Sequence, residues 1–128
     1  LQYLLDRYGA GSLSPPPGSE ADAAHLAWLW FGEATLPRPL GIYRLLRGGD
    51  LVAQAWERLQ ISFDSVEAEL ASREGDWLLG ETFLAADVMV GHALLLCRNG
   101  GLLEGRAALE AYTDRLSARP ACRIALDV

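Results

Sequence analysis

The chain has no lysine. Its 11 basic side chains are all arginines, set against 17 Asp and Glu in 128 residues, for a net charge of −6. Nothing in that balance favours a nucleic-acid surface, because neutralising phosphates needs a basic patch. Cysteine is scarce: Cys97 and Cys122 are too few for a disulfide framework. Cys97 lies inside an apolar run and reads as a small buried hydrophobe rather than a nucleophile. No uncharged apolar run reaches the roughly 18 residues that a transmembrane helix needs, and the first residues do not predict a secretory leader. The chain opens on Leu1 rather than Met and reads as a piece of a longer polypeptide. The strict alternation of a half-buried strand is missing throughout. So is a phosphate-binding glycine loop, because Gly48-Gly49 ends a helical pattern instead of joining a strand to a helix. No His, Cys and Glu cluster has metal-ligand spacing, so no metal site is expected.

What is present is helical. Hydrophobic residues make up 51% and charged residues 22%, enough apolar surface for one domain with its own core. Leu1, Leu4, Leu5 and Tyr8 recur at helical spacing before Gly9. Residues 10–18 form a linker around Pro15-Pro16-Pro17-Gly18, which is extended and stiff. Ser19 or Asp22 starts the next helix. Its block Leu26 to Phe31 is too wide for one apolar stripe, so this helix has two faces to bury, one of them against a second surface. Pro37 and Pro39 kink or break it, and the pattern resumes through Leu40, Tyr43, Leu46 and Arg47. Asp50 is the predicted N-cap of a long amphipathic helix carrying Ala55, Leu59, Phe63, Val66 and Leu70. A loop over 76–83 leads to an apolar helix from about residue 85 to Arg98. A helix over 106–118 and a short last one beginning at Pro120 complete an all-α chain.

The apolar helix has the most informative beginning. With Leu84 at the N-cap, Asp87 falls at N3, where a carboxylate reaches back to the cap N–H and meets the positive end of the helix dipole. Phe83 and Val88 take the N′ and N4 positions of a hydrophobic staple. Leu84 has no oxygen to complete a capping box, which costs about 1 kcal/mol relative to Ser or Thr. Asp87 is therefore expected to be structural rather than catalytic. A helix with almost no polar face is expected to be surrounded by other elements.

Candidates for chemistry are few. His25 is expected on the exposed start of a helix, and His92 as a satisfied core histidine. His92 and Cys97 are about 500° apart around a helix and cannot act as a pair. Trp28, Trp30, Phe31 and Tyr43 are candidates for core, interface or pocket lining. Tyr43 stands out because it follows the proline kink. Glu33, among apolar residues before the kink, is a solvated or capping group by default, with contact to a ligand amine as the other reading.

The run Trp28-Leu29-Trp30-Phe31-Gly32-Glu33-Ala34-Thr35-Leu36 before Pro37 resembles the first long helix of bacterial glutathione S-transferases. Gly80 to Asp87 is similar to the superfamily's G-x-x-F-[ST]-x-A-D motif, departing from it at Leu84, and Ser117-Ala118-Arg119-Pro120-Ala121 resembles the stretch before its last helix. The resemblance covers nearly the whole chain and implies the C-terminal all-helical domain, a bundle around a central buried helix. It makes residues 1–9 the end of a thioredoxin-like domain's last helix, 10–18 the inter-domain connector and 19–128 the helical domain. Catalytic residues and the glutathione site then belong to the absent domain. Leu36, Leu40 and Tyr43 are presented to a hydrophobic electrophile, and the wide helix pairs across a two-fold homodimer. A cytoplasmic detoxifying transferase with glutathione as co-substrate, not bound to membrane or nucleic acid, is the implied parent. The alternative is a non-catalytic interaction module, since similar domains occur in translation elongation factors and aminoacyl-tRNA synthetases.

Overall fold

The computed structural model describes residues 1–46 and 48–126. Arg47, placed by the sequence pattern at the end of a helix, lies outside the described residues, as do the last two residues of the domain. Among the described residues the regular structure is helical: α1 (Gln2–Tyr8), α2 (Glu20–Trp30), a π turn (Phe31–Thr35), α3 (Pro37–Leu45), α4 (Asp50–Ser72), α5 (Ala85–Asn99), α6 (Ala107–Ala118) and α7 (Pro120–Leu126). A single bridge between Trp77 and Gly80 is the one strand-like pairing among them. The all-α expectation and the order of the helices both hold.

The helix boundaries follow from local chemistry. The Ser19 hydroxyl accepts from the Asp22 N–H at 3.2 Å, and so caps α2. Pro37 opens α3 at N1, where its missing N–H leaves no bond unmade. Pro120 does the same for α7. Asp50 is not the cap of α4: Gly49 holds that place, and Asp50 is the first helical residue with no side-chain capping bond. Its charge still sits at the positive end of the helix dipole.

The break between α2 and α3 differs from a plain proline kink. It begins before the prolines, in a π turn whose closing bond runs from the Leu36 N–H to the Phe31 carbonyl at 3.2 Å. Gly32 lies buried in this turn against the backbone of α5. A Cβ there would stand 2.7 Å from the Val90 nitrogen and 2.8 Å from the Met89 carbonyl carbon. The wide turn and the absent side chain together let the two main chains touch.

The core forms where α5 packs against α2, the π turn and α6, while α3 and α6 pack on α4. Its fully buried side chains include Leu59, Phe63 and Val66 from α4, Val90 and Leu94 from α5, and Leu109 and Tyr112 from α6. Arg106, just before α6, clamps that helix to α4. Its guanidinium donates to Glu67 at 2.6 Å, Gln60 at 2.7 Å and Asp64 at 2.9 Å, and lies over the Phe63 ring.

Gly32→Ala should therefore destabilise the fold by about 1–3 kcal/mol, because the α5 backbone at Met89 and Val90 blocks the new methyl. Gly41→Ala is the matched control. It lies in α3 with open space at its Cβ position, and is expected to stabilise by about 0.5–1 kcal/mol. Urea unfolding of the two variants checks this; equal stabilities would refute the close approach.

Candidate functional site

Asp87 is fully buried at the start of α5, and every contact of its carboxyl group is structural. Oδ2 accepts from the Leu84 N–H at 2.8 Å. Oδ1 accepts from the Leu78 N–H at 2.9 Å and from the Tyr112 hydroxyl at 2.8 Å. Leu84 supplies its backbone carbonyl, 3.0 Å from the Asp87 N–H, where the motif's Ser or Thr would supply a hydroxyl. The Ala85 N–H is taken by the carbonyl of Leu13, 2.8 Å away in the linker. The capping role read from the sequence is what the geometry provides, with two partners that spacing alone did not name.

Burial, together with the neighbouring Asp87 carboxyl that accepts its hydroxyl proton, pushes the Tyr112 phenol well above its ordinary value. It is a hydrogen-bond donor here, not a ready phenolate. Burial likewise pushes the Cys97 thiol up to about 12, which removes it as a nucleophile near neutral pH.

The two histidines exchange the places expected of them. His25 is fully buried, and neither ring nitrogen has a hydrogen-bond partner among the described residues. The covered face of α2 turns it inward beside Leu29. His92 is exposed instead. It lies on the side of α5 that also carries Val88 and Leu95, and this stripe is not covered by the described residues. A helix apolar all round is thus not enclosed all round.

That stripe forms one wall of a cavity of about 320 Å³ between α5 and α7. Leu13 of the linker and Leu116 of α6 contribute further apolar lining, and Cys122 and Ala125 form the α7 side. One cation borders it. The Arg119 guanidinium lies 3.4 Å from the centroid of the Phe83 ring and 5.5 Å from that of Trp77, a stacked arrangement suited to arginine. Nothing in the periodicity of the sequence pointed to this cavity, because its walls come from the linker, three helices and the loop before α5.

Leu36, Leu40 and Tyr43 border neither this cavity nor a second groove of about 320 Å³ between the π turn and α4, which Arg38 and Arg58 flank. Leu36 is 0% and Leu40 4% exposed, both within the core cluster. A ligand could touch them only by displacing core side chains. Tyr43 is half-buried, with its ring 5.3 Å from that of Trp56. Trp28 and Phe31 pack edge to face at 4.9 Å against the core. Trp30 is 62% exposed on the opposite face of α2, and Glu33 is exposed in the π turn. Among the described residues no group of His, Cys, Asp and Glu is placed to hold a metal ion, and no helix is long and apolar enough to cross a membrane.

The helix order, the capped central helix and the Gly32 contact define an all-α bundle of one architecture. It is the fold of the C-terminal helical domain of the glutathione S-transferase superfamily. The chain superposes on a glutathione transferase from Methylococcus capsulatus strain Bath with a TM-score of 0.86 and 29% identity, covering 99% of this chain and 63% of that one. A sphingomonad glutathione S-transferase, solved in complex with glutathione, gives a TM-score of 0.82 and 27% identity over 99% of this chain and 63% of that one. BphK, a bacterial transferase solved as a ternary complex, matches at a TM-score of 0.85 and 23% identity over 98% and 63%. The chain thus spans less than two thirds of the length of these structures. No protein-family model and no curated protein matches it.

Two measurements test this assignment of roles. Asp87→Ala strands two buried N–H groups and a hydroxyl, so it should cost about 3 kcal/mol or more of unfolding free energy, while Tyr112→Phe, which leaves one acceptor short of a donor, should cost about 1–2 kcal/mol. Any activity per folded molecule should be unchanged; its loss at unaltered stability would make Asp87 a reacting group. For His25, burial holds the imidazole below its ordinary value of 6.5, against the opposing pull of Asp22 and Asp87. The unfolded chain therefore takes up the proton first as pH falls. The resulting stability is complete above pH 6.5 and is lost as pH drops through the folded value. His25→Leu should flatten this part of the acid dependence, below pH 6.5, in urea titrations. Parallel curves for variant and wild type would contradict it.

Proposed function

We propose that this chain is the C-terminal domain of a glutathione-dependent transferase, with residues 1–9 ending a preceding thioredoxin-like domain, 10–18 connecting the two and 19–128 forming the helical domain. The likeness at 29% identity to the Methylococcus capsulatus transferase carries this reading, and the glutathione bound in the sphingomonad relative supports the choice of thiol. In the parent, the preceding domain binds glutathione and stabilises its thiolate. The sulfur lone pair attacks an electrophilic carbon, a carbon–sulfur bond forms, and the leaving group departs with its bonding electrons. The helical domain contributes no reacting group. Cys97 is held as a thiol, and the Tyr112 hydroxyl is committed to Asp87.

The helical domain's part is shape. Tyr43 is the residue proposed to face the hydrophobic electrophile, with Leu36 and Leu40 as the packed layer that fixes the position of α3. Trp30 supports a two-fold dimer. A tryptophan 62% exposed on a helix that buries its other side is the kind of anchor subunit contacts use. A cytoplasmic detoxifying role follows for such a parent.

The test uses the polypeptide in which this chain continues upstream of Leu1. It should bind glutathione and conjugate a chloronitroaromatic electrophile, and the 128-residue chain alone should do neither. Trp30→Glu should shift the longer protein from dimer to monomer in light scattering. A longer protein that is folded and dimeric but binds no glutathione would instead be the non-catalytic interaction module. Turnover by the 128-residue chain alone would refute the division of labour.

A further inference from the structure

We infer that the groove between the π turn and α4 is a binding site for a small organic carboxylate with an apolar body, held by Arg38 and Arg58. The site is built from this chain alone and does not depend on the transferase reading above.

The charges point to it first. In a chain with 17 acids and 11 arginines, an acid partner is easily found. Arg73, Arg98, Arg106 and Arg115 each pair with one, and Arg119 lies on two aromatic rings. Arg38 and Arg58 do neither among the described residues, although both line one groove, the first from α3 and the second from α4. Like charges on a shared groove repel. Arg38 is also the second residue of α3, where the helix dipole favours an acid over a cation. No Asp or Glu lines the groove. An anion from outside the chain would supply what this arrangement lacks.

The backbone does not supply the binding instead. Pro37 and Pro39 carry no N–H, so the first turn of α3 has two fewer donors than an ordinary helix start. Anion recognition here falls on the side chains. Thr35 adds a hydroxyl from the π turn. Ser62, buried at the floor, is already committed, its hydroxyl donating to the Arg58 carbonyl at 2.8 Å.

The remaining lining sets the ligand class. Ala34, Pro39 and Ile61 are apolar, and Ile61 is 65% exposed on a helix whose inward stripe is Leu59, Phe63 and Val66. A groove of about 320 Å³ is at the small end of ligand clefts. A guanidinium fork matches the two oxygens of a carboxylate. The apolar lining gains nothing from a bare phosphate, but it can cover a ring or a short alkyl chain.

The test titrates benzoate by calorimetry into the full-length protein saturated with glutathione. Binding should be saturable, with a Kd on the order of 1 mM or tighter, and should weaken with added salt. Arg38→Gln and Arg58→Gln should each weaken it about tenfold with the fold intact by circular dichroism. Arg123→Gln, at an exposed position on α7, should leave it unchanged. Benzyl alcohol, the same ring without the charge, should show no saturable binding. A second readout needs no variant: benzoate should shift the Ile61 methyl resonances and leave those of Ile124 on α7 in place.

Absence of saturable binding overturns the proposal, and so do arginine variants that bind as wild type does. Equal affinity for inorganic phosphate, with the same Ile61 shifts, would make the groove a bare charge site and overturns the carboxylate assignment. An acidic side chain of a second copy is the other source of a carboxylate. In that case benzoate would bind the Trp30→Glu monomer but not the dimer, and the groove would be a subunit contact, which also overturns the proposal. Equal binding by wild type and Trp30→Glu supports it. If glutathione itself does not bind while benzoate does, the site stands and only the transferase reading fails.

Discussion

Three donors from three parts of the chain meet on one buried carboxyl group. The Leu84 N–H begins α5, the Leu78 N–H belongs to the loop before it, and the Tyr112 hydroxyl projects from α6. A buried carboxyl with no partner would be strongly penalised by desolvation. Here it forms only when all three parts are in place, so helix start, loop and neighbouring helix are coupled. The loop carries little structure of its own beyond the Trp77–Gly80 bridge. Asp87 fixes it, and with it Trp77 and Phe83, on which Arg119 stacks. One acid thereby sets the floor of the cavity between α5 and α7 without being available for reaction.

A second constraint works at the opposite side of α5. Gly32 brings the π turn into backbone contact with Met89 and Val90. α5 is consequently clamped by main chain on one side and by a hydrogen-bond hub at its start, while α6 is held to α4 by Arg106. What remains unclamped is the stripe through Val88, His92 and Leu95.

Periodicity made most of the fold legible. The amphipathic spacing in α4, the proline at the start of α7 and the acid at N3 of α5 each have a local cause, and each predicted element is present. Features that depend on distant neighbours were hidden. Leu26 to Phe31 is apolar nearly all round, and such a pattern cannot say which side turns inward; His25, expected at the exposed start of the helix, is buried. In α5 the same ambiguity placed His92 inside although it is exposed. The π turn had a signal in the Gly32-to-Pro37 stretch, but prolines announce a break without giving its width. Leu36, Leu40 and Tyr43 follow helical spacing, which brings them to one region but does not separate the buried leucines from the half-open tyrosine. The cavity left no trace in any one segment, because its lining is scattered from Leu13 to Ala125.

The linker joins these two constraints to the open stripe. The same residue, Leu13, presents its carbonyl to the first N–H of α5 and its side chain to the groove. Moving α1 relative to the bundle would have to rotate a left-handed Leu13, and with it the capping carbonyl, two residues from Asp87 in the helix it caps. Leu84 supplies no side-chain cap, its carbonyl takes the Asp87 N–H, and the N1 N–H of Ala85 is satisfied by the connector. A helix start assembled this way responds to how the connector is held.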